Sequence, residues 1–130
     1  MKNIFLILAI TVIALSMMCV VSAGDLKAGS NLKEKDGKLI DTLHNNEVVG
    51  TVQKVGSADA AKNIVMSADS GAINKVASTS PTLVNQYDTN NGVYFEFARN
   101  GDVYLIFVDT AHMKNGMLGR VTDFCKAQGY

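Results

Sequence analysis

The sequence predicts a mixed α+β domain: a small antiparallel sheet centred on a hairpin at residues 93–109, packed against a C-terminal amphipathic helix and one or two short middle helices. Three observations predict it. Two runs rich in β-branched and aromatic residues, 93–98 and 103–108, flank Asn100-Gly101; a capped alanine-rich run follows Ser57; and apolar residues recur at helical spacing after Met113.

The hairpin is the strongest of the three. A type I′ turn needs positive φ at both central residues, and Asn and Gly tolerate it. With Asn100-Gly101 as the loop, Arg99 faces Asp102, Phe97 faces Tyr104, Phe95 faces Ile106 and Val93 faces Val108. That register gives one wholly apolar face and an ion pair, Arg99 with Asp102, at the tip. The other face, with Tyr94, Glu96, Leu105 and Phe107, is still mostly apolar and is expected to be partly covered. Two strands alone are marginal in water, so the apolar face requires a helix or further strands.

From the N-terminus, residues 4–23 carry no charge and end in Val21-Ser22-Ala23. A short basic start, an apolar stretch and a small residue at its end read as a secretory signal peptide covering residues 1–23. The competing reading is a retained membrane anchor, since about 20 apolar residues span a bilayer. Acylation at Cys19 is disfavoured, because Ser16-Met17-Met18 precedes it. Cleavage after Ala23 removes Lys2 and leaves 11 Lys plus Arg against 12 Asp plus Glu, a net charge of −1 with the signs interspersed. Such a surface offers no electrostatic footprint for nucleic acid or anionic lipid. The mature part would keep one cysteine, Cys125, so no internal disulfide can hold it and stability must come from the core.

Residues 24–35 are small and polar and read as a linker, which places a single domain at 36–130. Asp36-Gly37 marks a turn. Leu39-Ile40, the polar cluster His44-Asn45-Asn46-Glu47, and Val48-Val49 onward then fit a β-hairpin. A helix competes over 38–55, since Val48, Val52 and Val55 share helical spacing, although Gly50 and the asparagine pair penalise it.

Ser57-Ala58-Asp59 looks like an N-cap with an acidic first turn, giving a helix over 58–68. Ile73, Val76 and Ala77 suggest a second short helix over 72–77 that stops before Pro81. Residues 82–87 read as an edge strand, and 88–92 as an Asx-rich turn feeding the hairpin. After Asp109, Met113, Met117, Leu118, Val121, Phe124 and Cys125 form one helical stripe, with Gly129 as the left-handed cap beyond it. Gly116 and Gly119, each costly in a helix, could mark where that helix lies close on the sheet. Of the 5 Phe and 4 Tyr, all but Phe5 lie from Tyr87 onward, so the aromatic core belongs to the hairpin and last helix. The only internal repeat read here is the Val-Tyr pair at 93 and 103.

Little chemistry is visible. Residues 88–99 resemble a calcium loop until counted, because Gly92 falls at position five and Arg99 stands where the carboxylate is required. Cys125 with His112, or with His44, could form a thiolate–imidazole pair. Cys125 falls on the apolar stripe, however, where a cysteine behaves as a small buried hydrophobe. Two histidines and a cysteine far apart in sequence make no zinc signature, and phosphate-binding loops, paired catalytic carboxylates and Asn-x-Ser/Thr sequons are missing. The expectation is therefore a secreted or cell-surface, non-catalytic domain that binds an unidentified protein or small ligand without a cofactor or metal. The rivals are a small thiol-dependent or hydrolytic enzyme using Cys125 and His112, and a structural subunit tethered through residues 4–23.

Overall fold

A computed structural model describes residues 26–129, and the apolar segment 4–23 with its cleavage boundary lies outside them. The described residues form seven strands and two helices. In order these are β1 (Leu32–Lys35), β2 (Lys38–Asp41), β3 (Glu47–Lys54), α1 (Ala58–Ala68), β4 (Ile73–Ser78), β5 (Val84–Asp88), β6 (Gly92–Arg99), β7 (Asp102–Asp109), a 3₁₀ turn (Thr110–His112) and α2 (Met117–Lys126). All pairings are antiparallel, in the order β1-β2-β3-β7-β6-β5-β4. Two meanders thus lie side by side. Helix α1 carries the chain from β3 to the far edge, so that the second meander runs back and sets β7 against β3.

Turn chemistry fixes the hairpins. Asn100 (φ 52°) and Gly101 (φ 84°) occupy the left-handed region, and the register is the one that turn dictates, from Arg99 opposite Asp102 to Val93 opposite Val108. The expected ion pair at the tip is replaced by others. Asp102 meets Lys54 at 3.2 Å on the neighbouring β3, while Arg99 Nη1 donates to the Gln128 carbonyl at 3.2 Å. Asp36 (φ 53°) and Gly37 (φ 79°) make a second turn of the same kind between β1 and β2.

That turn corrects the linker reading: residues 32–35 are a strand, not the end of a tether. Leu32 is its one apolar residue and is buried against the core, while Lys33, Glu34 and Lys35 supply the charge typical of a sheet edge. Residues 38–55 are the expected strands β2 and β3, since neighbouring strands satisfy the backbone that Gly50 would weaken in a helix.

The second middle helix is also corrected. Residues 73–78 are β4, the opposite edge, paired with β5, and Ile73 and Val76 are exposed rather than packed. Pairing overrides the helical spacing of two β-branched residues, which suit a strand better than a helix. Strand β5, expected at an edge, is consequently internal, between β4 and β6.

Successive side chains on a strand point to opposite faces. Phe95, Phe97, Tyr104, Ile106 and Val108 therefore share one face, where they pack with Met117, Val121, Phe124 and Cys125 of α2. Leu105 with Tyr94 and Val103 takes the other, where Ala61 and Val65 of α1 cover them. One helix lies on each side of the sheet. Helix α1 is capped as the sequence indicates, Ser57 Oγ accepting the Ala60 N–H at 3.0 Å.

The glycines near α2 act differently from the sequence reading. Gly116 is the N-cap, at φ 82°, and a side chain at Gly119 would meet open space, so neither marks a close approach to the sheet. Gly129 is not left-handed. A Cβ there would collide with Thr82 Oγ1, which is placed by donating to the Lys126 carbonyl at 3.1 Å.

Candidate functional site: twin Asp-Thr-x-His corners

Because β2 and β7 both run antiparallel to β3, they point the same way and end at the same end of the sheet. Each finishes on an aspartate followed by the same pattern: Asp41-Thr42-Leu43-His44 and Asp109-Thr110-Ala111-His112. These segments contain both histidines of the chain. The repeat escaped the sequence reading because its copies are 68 positions apart and neither is catalytic in form.

The two corners fold alike. Asp41 Oδ1 accepts the Leu43 N–H at 3.0 Å, and its Oδ2 lies 2.7 Å from His44 Nδ1. Asp109 Oδ1 accepts the His112 N–H at 3.0 Å and lies 2.7 Å from His112 Nδ1. A carboxylate on Nδ1 keeps a proton there and leaves Nε2 to face outward. In the second corner Nε2 lies 3.0 Å from Oε2 of Glu47, the first residue of β3. Both carboxylates push the His112 pKa above 6.5, with the Asp109 hydrogen bond the larger cause. Asp109 is lowered in turn, chiefly by His112.

Arg120 of α2 binds the first corner. Nη1 donates to Asp41 Oδ2 at 3.1 Å and Nη2 to Oδ1 at 2.8 Å. Nε donates to the Ser30 carbonyl at 3.2 Å and Nη2 to the Asn31 carbonyl at 3.1 Å. The Asp41 side chain is only 3% exposed, and the guanidinium holds its carboxyl well below the usual carboxylate range. Ser30 and Asn31 are both left-handed, which turns their carbonyls toward α2.

Between the corners lies a cleft of about 370 Å³, lined by Asp41, His44, Glu47, His112, Lys114 and Arg120 among others. Glu47 stands directly opposite Asp41 across the β2–β3 ladder. Each of these two acids is met by a basic side chain from α2 or from the turn before it, Arg120 or His112.

No family model, curated protein or solved structure matches the chain.

The structure distributes the sequence candidates unevenly. His44 and His112 come to the same cleft. Cys125 is fully buried on α2 among Phe95, Phe97, Val121 and Phe124, and burial pushes its thiol far above the usual range. Its neighbours are apolar, whereas the polar partners of His112 are Asp109 and Glu47. The thiolate–imidazole pair is thus not assembled. The loop at residues 88–92 is held by Thr89, whose hydroxyl and N–H both engage the Gly92 carbonyl. Among the described residues, no three of the His, Cys, Asp and Glu side chains are placed to hold a metal ion.

Asp41, Glu47, Asp109, Lys114 and Arg120 were not singled out from the sequence. The signal for the first three was present in the Asp-Thr-x-His repeat and the glutamate three residues after its first copy. Arg120 carried no comparable signal.

Proposed function

We propose that this chain is an exported or cell-surface domain that acts by binding, without catalysis, and that the cleft between the Asp-Thr-x-His corners is its binding site. The observation that carries the reading is that the polar groups of the cleft are held in place before any ligand arrives. Asp41 is fixed by four donors from Leu43, His44 and Arg120, and His112 by Asp109 and Glu47. Preorganised polar groups of this kind keep down the ordering cost that otherwise reduces affinity. Export is supported by the uncharged stretch 4–23 and its Val21-Ser22-Ala23 end. Among the described residues no helix is long and apolar enough to cross a membrane, so tethering would fall to that stretch.

The enzymatic alternative has one geometric point in its favour. Asp109 on Nδ1 of His112 is how a catalytic base is oriented. Against it, a base must be free to accept a proton, and His112 Nε2 is occupied by Glu47 at 3.0 Å; the nucleophile it would serve, Cys125, is sealed in the core.

A fragment screen on ¹⁵N-labelled protein tests the reading. The expected outcome is that saturable shifts cluster on His44, Glu47, His112 and Lys114, with iodoacetamide leaving Cys125 unmodified in the folded state. Shifts confined to the exposed β4 edge would place the binding surface elsewhere. Rapid alkylation of Cys125, or ester turnover abolished by Cys125→Ala, would favour the enzyme.

A further inference from the structure

We infer that the cleft takes the carboxylate group of a small organic acid, which displaces Glu47 from His112 Nε2; this rests on the binding reading above and names its ligand class. The side chain of Glu47 is 54% exposed, and among the described residues its side-chain partner is His112. A bond of that exposure is weak and exchangeable. The imidazole does not depend on it. Asp109 holds Nδ1 and the turn's own backbone holds the residue, so Nε2 keeps its direction when Glu47 leaves. The structure thus already contains an imidazole N–H presented to a carboxylate, with an intramolecular group in the ligand's place.

The repeat supplies the second argument. His44 is built on the same Asp-Thr-x-His corner, and its Nε2 has no recorded partner among the described residues. The corners stand two strand spacings apart, about 9–10 Å across the sheet, with Asp41 level with Glu47 and Val108 level with Gly50, so the aspartates are also offset along β3. Lys114, which lines the same cleft, makes no ion pair among the described residues. Asp41 does not oppose an incoming anion in full, because Arg120 neutralises it. With Glu47 turned aside but still bordering the cleft, Arg120 offsets Asp41 and Asp109 stands behind His112, so the groups open to a ligand are two imidazole Nε2 positions and the Lys114 ammonium. That set favours an anion with hydrogen-bond acceptors, and a volume of about 370 Å³ suits a small one.

The probe is succinate, with butylammonium chloride at matched ionic strength as the control, read by long-range ¹⁵N spectra of the two imidazoles and by amide shifts. Succinate should move His112 Nε2, His44 Nε2 and the Lys114 amide together, and butylammonium should not. Removing the internal competitor with Glu47→Gln should tighten succinate roughly 1.5- to 5-fold, the reach of an exposed ion pair. His112→Gln should weaken it about tenfold or more, as loss of a charge-assisted hydrogen bond does. Because His112→Gln also removes a link between β3 and β7, His44→Gln is the second variant; Asp41 keeps Arg120 and the Leu43 N–H there, so it should weaken succinate with a smaller fall in melting temperature than His112→Gln.

Equal shifts with both salts, or no tightening in Glu47→Gln, would overturn the inference. So would saturable Zn²⁺ binding with proton release at the two imidazoles, which would make the corners a metal site instead. If succinate fails while the fragment screen still maps to the cleft, the ligand class falls and the binding reading stands. If neither perturbs the cleft, both fall.

Discussion

Arg120 and Asp41, 79 residues apart in sequence, meet in a two-pronged ion pair that ties helix α2 to the end of β2. The same guanidinium also holds the carbonyls of Ser30 and Asn31, so one side chain joins three segments. Arg120→Met keeps the aliphatic stem and removes every one of these bonds. It should cost on the order of 3 kcal/mol, because Asp41 is left almost buried without its cation. Chemical denaturation checks this, and an unchanged midpoint would refute it. A pH series adds a sign. The Asp41 pKa is lowered on folding from 3.8, so its stabilisation is present above that value and is lost as pH falls through the acid range. The variant should show a shallower acid limb than wild type.

His112 predicts the opposite slope at the other end of the scale. Its pKa is raised above 6.5 by Asp109 and Glu47, so its contribution is fully present below 6.5 and is lost as pH rises through the folded value. Asp41, lowered chiefly by its hydrogen bond to Arg120, and Arg120, raised chiefly by Asp41, keep their charges through this range. Melting temperature should therefore decline above pH 6.5 in wild type and less so in His112→Asn. Parallel curves would show that the histidine bridge carries no stability.

The two faces of β6 should respond unequally. Phe97 is buried against α2 and stacks on Tyr104 with ring centroids 5.4 Å apart, so Phe97→Ala should cost about 3–5 kcal/mol, a cavity-scale loss. Tyr94, half-buried beside α1 and tilted on Phe107 at 4.6 Å, should cost clearly less when changed to Ala. Equal costs in urea denaturation would mean that α1 seals its face as fully as α2 does.

Asn100 and Gly101 are both left-handed, a conformation in which a Cβ costs roughly 1–2 kcal/mol per residue. Asn100-Gly101→Ala-Ala should destabilise by about that amount, most of it at Gly101, because Asn100 already carries a Cβ; nothing within 4 Å would crowd a side chain at Gly101. The loss is one of backbone strain alone. A midpoint unchanged in guanidinium would contradict it.

What could be read in the sequence was local. The Asn100-Gly101 turn and the Ser57 cap are interactions among residues a few positions apart, and both stand where the residues indicate. What could not be read was set by neighbours distant in sequence. Residues 73–78 are a strand because β5 pairs with them, and Leu32 belongs to the sheet because Asp36-Gly37 folds β1 onto β2. The histidines share a cleft only because β3 lies between β2 and β7. The Asp-Thr-x-His repeat was visible as letters, but its meaning depended on that arrangement.

The pairing of β3 with β7 has a kinetic side. Every other strand pair joins neighbours in sequence, so each meander can zip from its own turns, while this seam must wait for a loop of about 50 residues to close. Contacts of long sequence separation repay their chain entropy late, and folding rates follow them. Val52→Ala, on the seam opposite Ile106, should therefore speed unfolding more than it slows refolding, which stopped-flow denaturant jumps would measure. The cleft lies at the end of this last seam, with Glu47 on one side and His112 on the other. A partly folded chain that had formed both meanders would still lack it, so the cleft is completed only when the last seam closes.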